Sequence, residues 1–142
     1  MHIARQAFLS ILVLASLLAL LPGIAYAVGL FRVHGRPVPA DPTAFDRGLV
    51  QAAWQGCREE SPIAVTRLNP WGVAARLLFG DPLRAAPGER ASWQIARTHN
   101  AAHPVGNNLW WHTSGTALTI WITRNWSAEQ IGATLARDGL CK

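Results

Sequence analysis

The sequence predicts a mostly α-helical domain behind one N-terminal membrane helix or signal segment. Three observations predict it: an uncharged run from Ala7 to Phe31, helix-starting pairs at Asp41-Pro42 and Asn69-Pro70, and apolar residues at three- and four-residue steps between the turn signals.

His2 and Arg5 form the positive flank expected at the cytoplasmic end of an exported segment, residues 1–31. Two readings stay open for this segment. Pro22 and Gly23 interrupt the apolar run before Ala25-Tyr26-Ala27, which fits a signal cleaved near Ala27; the full uncharged length also suits a retained anchor. Residues 32–40, RVHGRPVPA, read as an extended linker, and the domain occupies 41–142.

Asp41 and Pro42 suit the N-cap and first turn of a helix from about 42 to 55, with Phe45, Leu49, Ala52 and Ala53 at helical spacing and Gly56 at its end. Asn69-Pro70 opens the next helix, which carries Val73, Leu77 and Leu78 on one face and stops at Gly80. A short helix covers Ala91 to Arg97, and THNAAHPVGNN after it reads as a loop. Between Trp110 and Asn125, Ala117, Leu118, Trp121 and Ile122 recur at helical steps. Its Thr, Ile and Trp content also suits a strand, and helix is the preferred reading. Ser127 and Gln130 form a capping box for a last helix that ends at Gly139.

One core is expected from 142 residues, and half the residues being apolar with 15% charged argues against disorder. Leaving out Arg5, 12 Lys and Arg oppose 8 acids without forming a run. Such a surface favours anionic membranes or anionic polymers, and because the charge forms no run, nucleic acid is not an expected partner while the membrane is. Cys57 and Cys141 make an even pair in an exported chain, read as a disulfide that would stabilise the fold by roughly 4 kcal/mol in the chain-entropy account.

Candidate chemistry is sparse. Glu59 and Glu60 are adjacent, so their side chains diverge and they fail as a paired-carboxylate device; either alone is a candidate general base, and surface charge is the preferred reading. His99, His103 and His112 have spacing that would suit zinc on a continuous helix, but Pro104 interrupts it and a polar loop is preferred, so no metal or other cofactor is expected. Ser92 and Ser114 lack a nucleophile elbow, and the sequon at Asn125-Trp126-Ser127 is better read as a helix cap. Five of the seven tryptophans lie between residues 93 and 126, where packing or a membrane interface is preferred over sugar stacking.

In order along residues 36–137, PVPADPTAFDRGLVQAAWQ, NPWGVAARLL, GERASWQIAR and TALTIWITRNWSAEQIGATLA resemble successive segments of the family 51 glycosyltransferase domain, the peptidoglycan glycosyltransferases that polymerise lipid II, including the monofunctional membrane-anchored type. Gly88, Gln94, Ala96, Arg97, Ser127, Glu129 and Ile131 are the matching positions. The resemblance implies a lysozyme-like helical domain at the bacterial inner membrane, facing the periplasm and retained on its anchor. It also departs from the family where the chemistry lies. The first catalytic glutamate is replaced by Trp54, the following aspartate by Gln55 and the second glutamate by Gly115, and the chain ends before the last family motif.

The expectation is therefore a truncated, non-catalytic envelope protein that binds a glycan, a lipid-linked precursor or an envelope protein, with Trp93, Gln94 and Arg97 as binding residues. Two alternatives accompany it. One is an active transferase whose base is a displaced Glu59 or Glu60; the other is a small secreted helical protein, stapled by its disulfide and unrelated to cell-wall synthesis.

Overall fold

The structure, a computed structural model, describes residues 2–81, 84–103 and 106–141. Six α-helices follow in order: α1 (His2–Arg32), α2 (Arg47–Gly56), α3 (Pro70–Phe79), α4 (Glu89–Ala102), α5 (Asn108–Asn125) and α6 (Ala128–Asp138), with a 3-10 turn at Pro42–Ala44. The mostly α-helical class is as expected, and the Trp110–Asn125 segment is helical.

α5 is the central element because it is apolar on nearly every face, burying Ala117, Leu118, Ile120 and Ile122 together with the small polar Ser114, Thr119 and Thr123. A helix of that kind needs neighbours all round. One side meets Trp54 of α2, Ile95 of α4, and Ile131 and Leu135 of α6 in the main core. The buried hydroxyls turn back on their own helix: Ser114 and Thr119 donate to the carbonyls of Trp110 and Gly115, and Thr123 to that of Ile120. The capping box at Ser127 and Gln130 and the left-handed stop at Gly139 are both present in α6.

Two helix boundaries differ from the sequence reading. Asp41 caps only the 3-10 turn, Phe45 is extended, and Asp46 caps α2 by accepting from the N–H groups of Gly48 and Leu49. Two aspartates compete for one helix start, and the second satisfies two backbone donors. α4 runs past Arg97 to Ala102 because His99 and Asn100 find tertiary partners: His99 Nε2 bonds the His34 carbonyl and Asn100 Nδ2 donates to Ser114 Oγ. Pro104 lies outside the described residues.

α1 is a single helix long and apolar enough to cross a membrane from Leu9 to Arg32, with the side chains of that stretch largely exposed. Its C-terminal part belongs to the domain. Gly29 is buried where α1 meets α5, and a Cβ there would stand 2.7 Å from the Thr113 carbonyl oxygen and 2.8 Å from Ala117 Cβ. Tyr26 packs on Leu68, Val73 and Ile120, and Arg32 lies 4.5 Å over the Trp110 ring. Near Pro22, which breaks the ladder of backbone bonds in α1, Trp71 Nε1 donates to the Ala19 carbonyl at 2.7 Å. The extended 33–40 segment is pinned too: Ala40 N–H donates to Thr134 Oγ1 and Arg137 Nη1 to the Val38 carbonyl.

Candidate functional site

The disulfide joins Cys57 at the C-terminus of α2 to Cys141, with the two Cα atoms 4.9 Å apart. It anchors a short segment in which Glu59 and Glu60 part company. Glu60 is exposed, and its carbonyl accepts from Trp54 Nε1 at 3.0 Å. Glu59 is buried, against the expectation of surface charge. Its Oε2 accepts from Gly88 N–H at 3.0 Å, and its Oε1 from Arg90 N–H at 2.8 Å and Ala91 N–H at 3.1 Å. Gly88 stands at φ +77 and has no side chain with which to cap α4, so Glu59 supplies the cap from 29 residues away. A carboxylate here satisfies orphan donors and faces the positive end of the helix dipole. Both of its oxygens are committed, which argues against Glu59 as a general base.

The positions where the resemblance would put catalytic glutamates are closed. Trp54 is wholly buried in the main core. Gly115 is buried under Trp93, where a Cβ would stand 2.8 Å from Trp93 Cζ3. Gln55 is exposed and donates to Ser61 Oγ.

On the other side of Trp93 from Gly115 lies a cleft of about 540 Å³ between α3, α4 and α5. Arg58, Arg76, Glu89, Arg90, Trp93 and Thr119 are among its walls, and Arg76 Nη2 bonds Glu89 Oε1 at 2.5 Å. Arg76 is paired with Glu89 and Arg90 Nη1 donates to the Arg58 carbonyl, so among these residues three guanidinium groups stand against one carboxylate and the wall carries an excess of positive charge. Trp93 is half-buried, edge-on to Trp111 at 5.8 Å and stacked on His112 at 6.5 Å.

Of the residues expected to bind, only Trp93 lines this cleft. Gln94 and Arg97 lie on the same helix but not among the cleft's walls: Gln94 is turned about 100° away from Trp93, and Arg97 stands on the Trp93 face one turn further along the axis. The arginines were missed by the sequence reading: Arg58, Arg76 and Arg90 come from three separate segments, and their spacing carries no signal.

His99 on α4 stacks on His103, the residue just past the helix end, with ring centroids 4.5 Å apart, whereas His112 sits on α5 against Trp93. Among the described residues no group of three His, Cys, Asp or Glu is placed to hold a metal ion. Burial is the main influence holding the His99 imidazole below its ordinary range; the hydrogen bond to the His34 carbonyl opposes it, and the positive fields of His103 and Arg36 add to it. Ser92 and Ser114 spend their hydroxyls on the Gly88 and Trp110 carbonyls.

No protein-family model, curated protein or solved structure matches this chain.

Proposed function

We propose that this is a membrane-anchored bacterial envelope protein, its domain facing the periplasm. In this reading it resembles peptidoglycan glycosyltransferases in descent but not in catalysis, and it binds a glycan or lipid-linked precursor in the cleft lined by Trp93. The observation that carries the reading is the fate of the two glutamate positions. A transferase of this class needs a carboxylate to deprotonate the attacking hydroxyl. A buried tryptophan and a glycine sealed under Trp93 offer none, while the cleft lined by Trp93, Arg58, Arg76 and Arg90 presents positive charge suited to an anionic ligand.

Retention of the anchor is supported by the way Tyr26, Gly29 and Ala19 are built into the packing around α3 and α5. Cleavage after Ala27 would remove two of these three.

The test is binding of the detergent-solubilised full chain to lipid II, with glycan polymerisation assayed in the same sample. Binding without polymer is expected. Polymer overturns the non-catalytic reading, and absence of binding overturns the assignment of a precursor to the cleft.

A further inference from the structure

A second cavity, of about 240 Å³, opens between α1, α3 and α5. Pro22, Ala25 and Tyr26 of α1 form one wall and Ala74 another, and Val73, Leu77, Thr116 and Ile120 are common to this cavity and the cationic cleft. The two spaces therefore share a boundary. Both are lined mostly by carbon, but only the second also carries Arg58, Arg76 and Arg90.

The depth of the first cavity follows from α1. The Trp71 to Ala19 hydrogen bond holds the start of α3 about 20 Å along the helix axis from Arg32, at 1.5 Å per residue. An uncharged run ending at Phe31 puts that level inside hydrocarbon if α1 spans the bilayer. On α3, Trp71, Leu77, Leu78 and Phe79 are exposed, which bulk water would penalise and acyl chains would not.

We infer that the joined groove holds one anionic glycerophospholipid, drawn sideways from the outer leaflet, with an acyl chain between α1 and α3 and its phosphate among Arg58, Arg76 and Arg90. The inference rests on the retained anchor of the proposed function and names a resident lipid for the same cleft. Charge complementarity selects a headgroup of net negative charge: guanidinium groups form charge-assisted bonds to the phosphate oxygens of any glycerophospholipid, but the quaternary ammonium of a zwitterionic headgroup would stand against the same arginines. The cavity between α1 and α3 selects a lipid over a soluble phosphate.

The experiment is native mass spectrometry of the full chain released from nanodiscs of mixed phosphatidylglycerol and phosphatidylcholine, with soluble glycerol phosphate as a third probe. One phosphatidylglycerol per chain is expected, at about tenfold preference over phosphatidylcholine, whose choline cation would meet the same arginines. Ala74→Trp, which fills the groove, and Arg58→Asn, which suits the left-handed backbone at φ 60, should each lower that occupancy. Thermal melts report whether the variants fold.

Equal retention of both lipids overturns the headgroup assignment. Displacement of the lipid by glycerol phosphate, or full occupancy in a folded Ala74→Trp chain, overturns the acyl-chain assignment. The wild-type comparison decides the question even if both variants unfold. Lipid II binding without any retained phosphatidylglycerol sinks this inference and leaves the proposed function standing; retained phosphatidylglycerol without lipid II binding does the reverse.

Discussion

Glu59 closes the N-terminus of a helix that begins 30 residues after it, through hydrogen bonds of 3.0 Å to Gly88 N–H, 2.8 Å to Arg90 N–H and 3.1 Å to Ala91 N–H. That role separates it from its neighbour. Glu59→Ala should cost about 2–3 kcal/mol, since it strands buried backbone donors, whereas Glu60→Ala should fall within about 0.5 kcal/mol of wild type as an exposed change. Denaturant unfolding of the two variants checks the difference. Equal effects would mean that Glu59 does not cap α4.

The contrast between Glu59 and the helix caps shows what was legible in the sequence. Asn69-Pro70, Ser127 with Gln130, and Gly139 act on groups within four residues, so their meaning is local and the structure keeps it. Glu59 acts across a loop whose path no local pattern encodes. For the same reason α4 outran its expected end: Asn100 continues the helix because Ser114, on another element, receives its amide. The cleft was legible only at Trp93, since its arginines meet through the packing of α3 and α4 and the position of the disulfide-linked turn.

The disulfide closes a sequence separation of 84 residues, which the chain-entropy account values at about 4 kcal/mol. Because Cys57 also lies two residues before Glu59, a Cys57→Ser, Cys141→Ser chain should lose that stability and show faster amide exchange at the start of α4. Hydrogen exchange followed by mass spectrometry reads both effects. Destabilisation without a change at residues 89–92 would separate the staple from the cap.

His99 gives the stability a pH dependence whose sign follows from its burial. Its folded-state proton affinity lies below that of the unfolded chain, mainly through burial, so the unfolded state binds more protons. The contribution of neutral His99 is complete above the ordinary imidazole value near 6.5 and is lost as pH falls through the lowered folded value. Stability should therefore decline on acidification from neutrality, and His99→Gln should flatten that decline. A melting series between roughly pH 7.5 and 5 tests it; an unchanged slope in the variant would assign the effect to other groups.

Gly29 sets the approach of α1 to α5. Valine there would force its Cβ into the space of Thr113 and Ala117, so Gly29→Val should cost about 1–3 kcal/mol as overpacking. The cost appears only if α1 stays docked on the domain. Gly35, at φ 70 with nothing within 4 Å of a built Cβ, is the contrasting site: Gly35→Asn should be nearly neutral because only the backbone conformation constrains it. Melting of the two variants in detergent distinguishes close packing from turn geometry.

If the anchor is retained, the domain should depend on residues that cleavage near Ala27 would discard. A chain beginning at Val28 loses the Tyr26 ring from the Leu68, Val73 and Ile120 cluster, and it leaves the Trp71 indole N–H without the Ala19 carbonyl. Losing the partly buried Tyr26 contact should cost about 1–2 kcal/mol by area alone. In a domain of this size that lowers the melting temperature by about 4–8 °C per kcal/mol. Tyr26→Ala in the full chain isolates the packing part of the loss, while Trp71→Phe removes the donor together with the indole's contact on Gly23. Shortened and full chains that melt together in the same detergent would show that the domain does not need α1, and would return the N-terminal segment to the role of a removable signal.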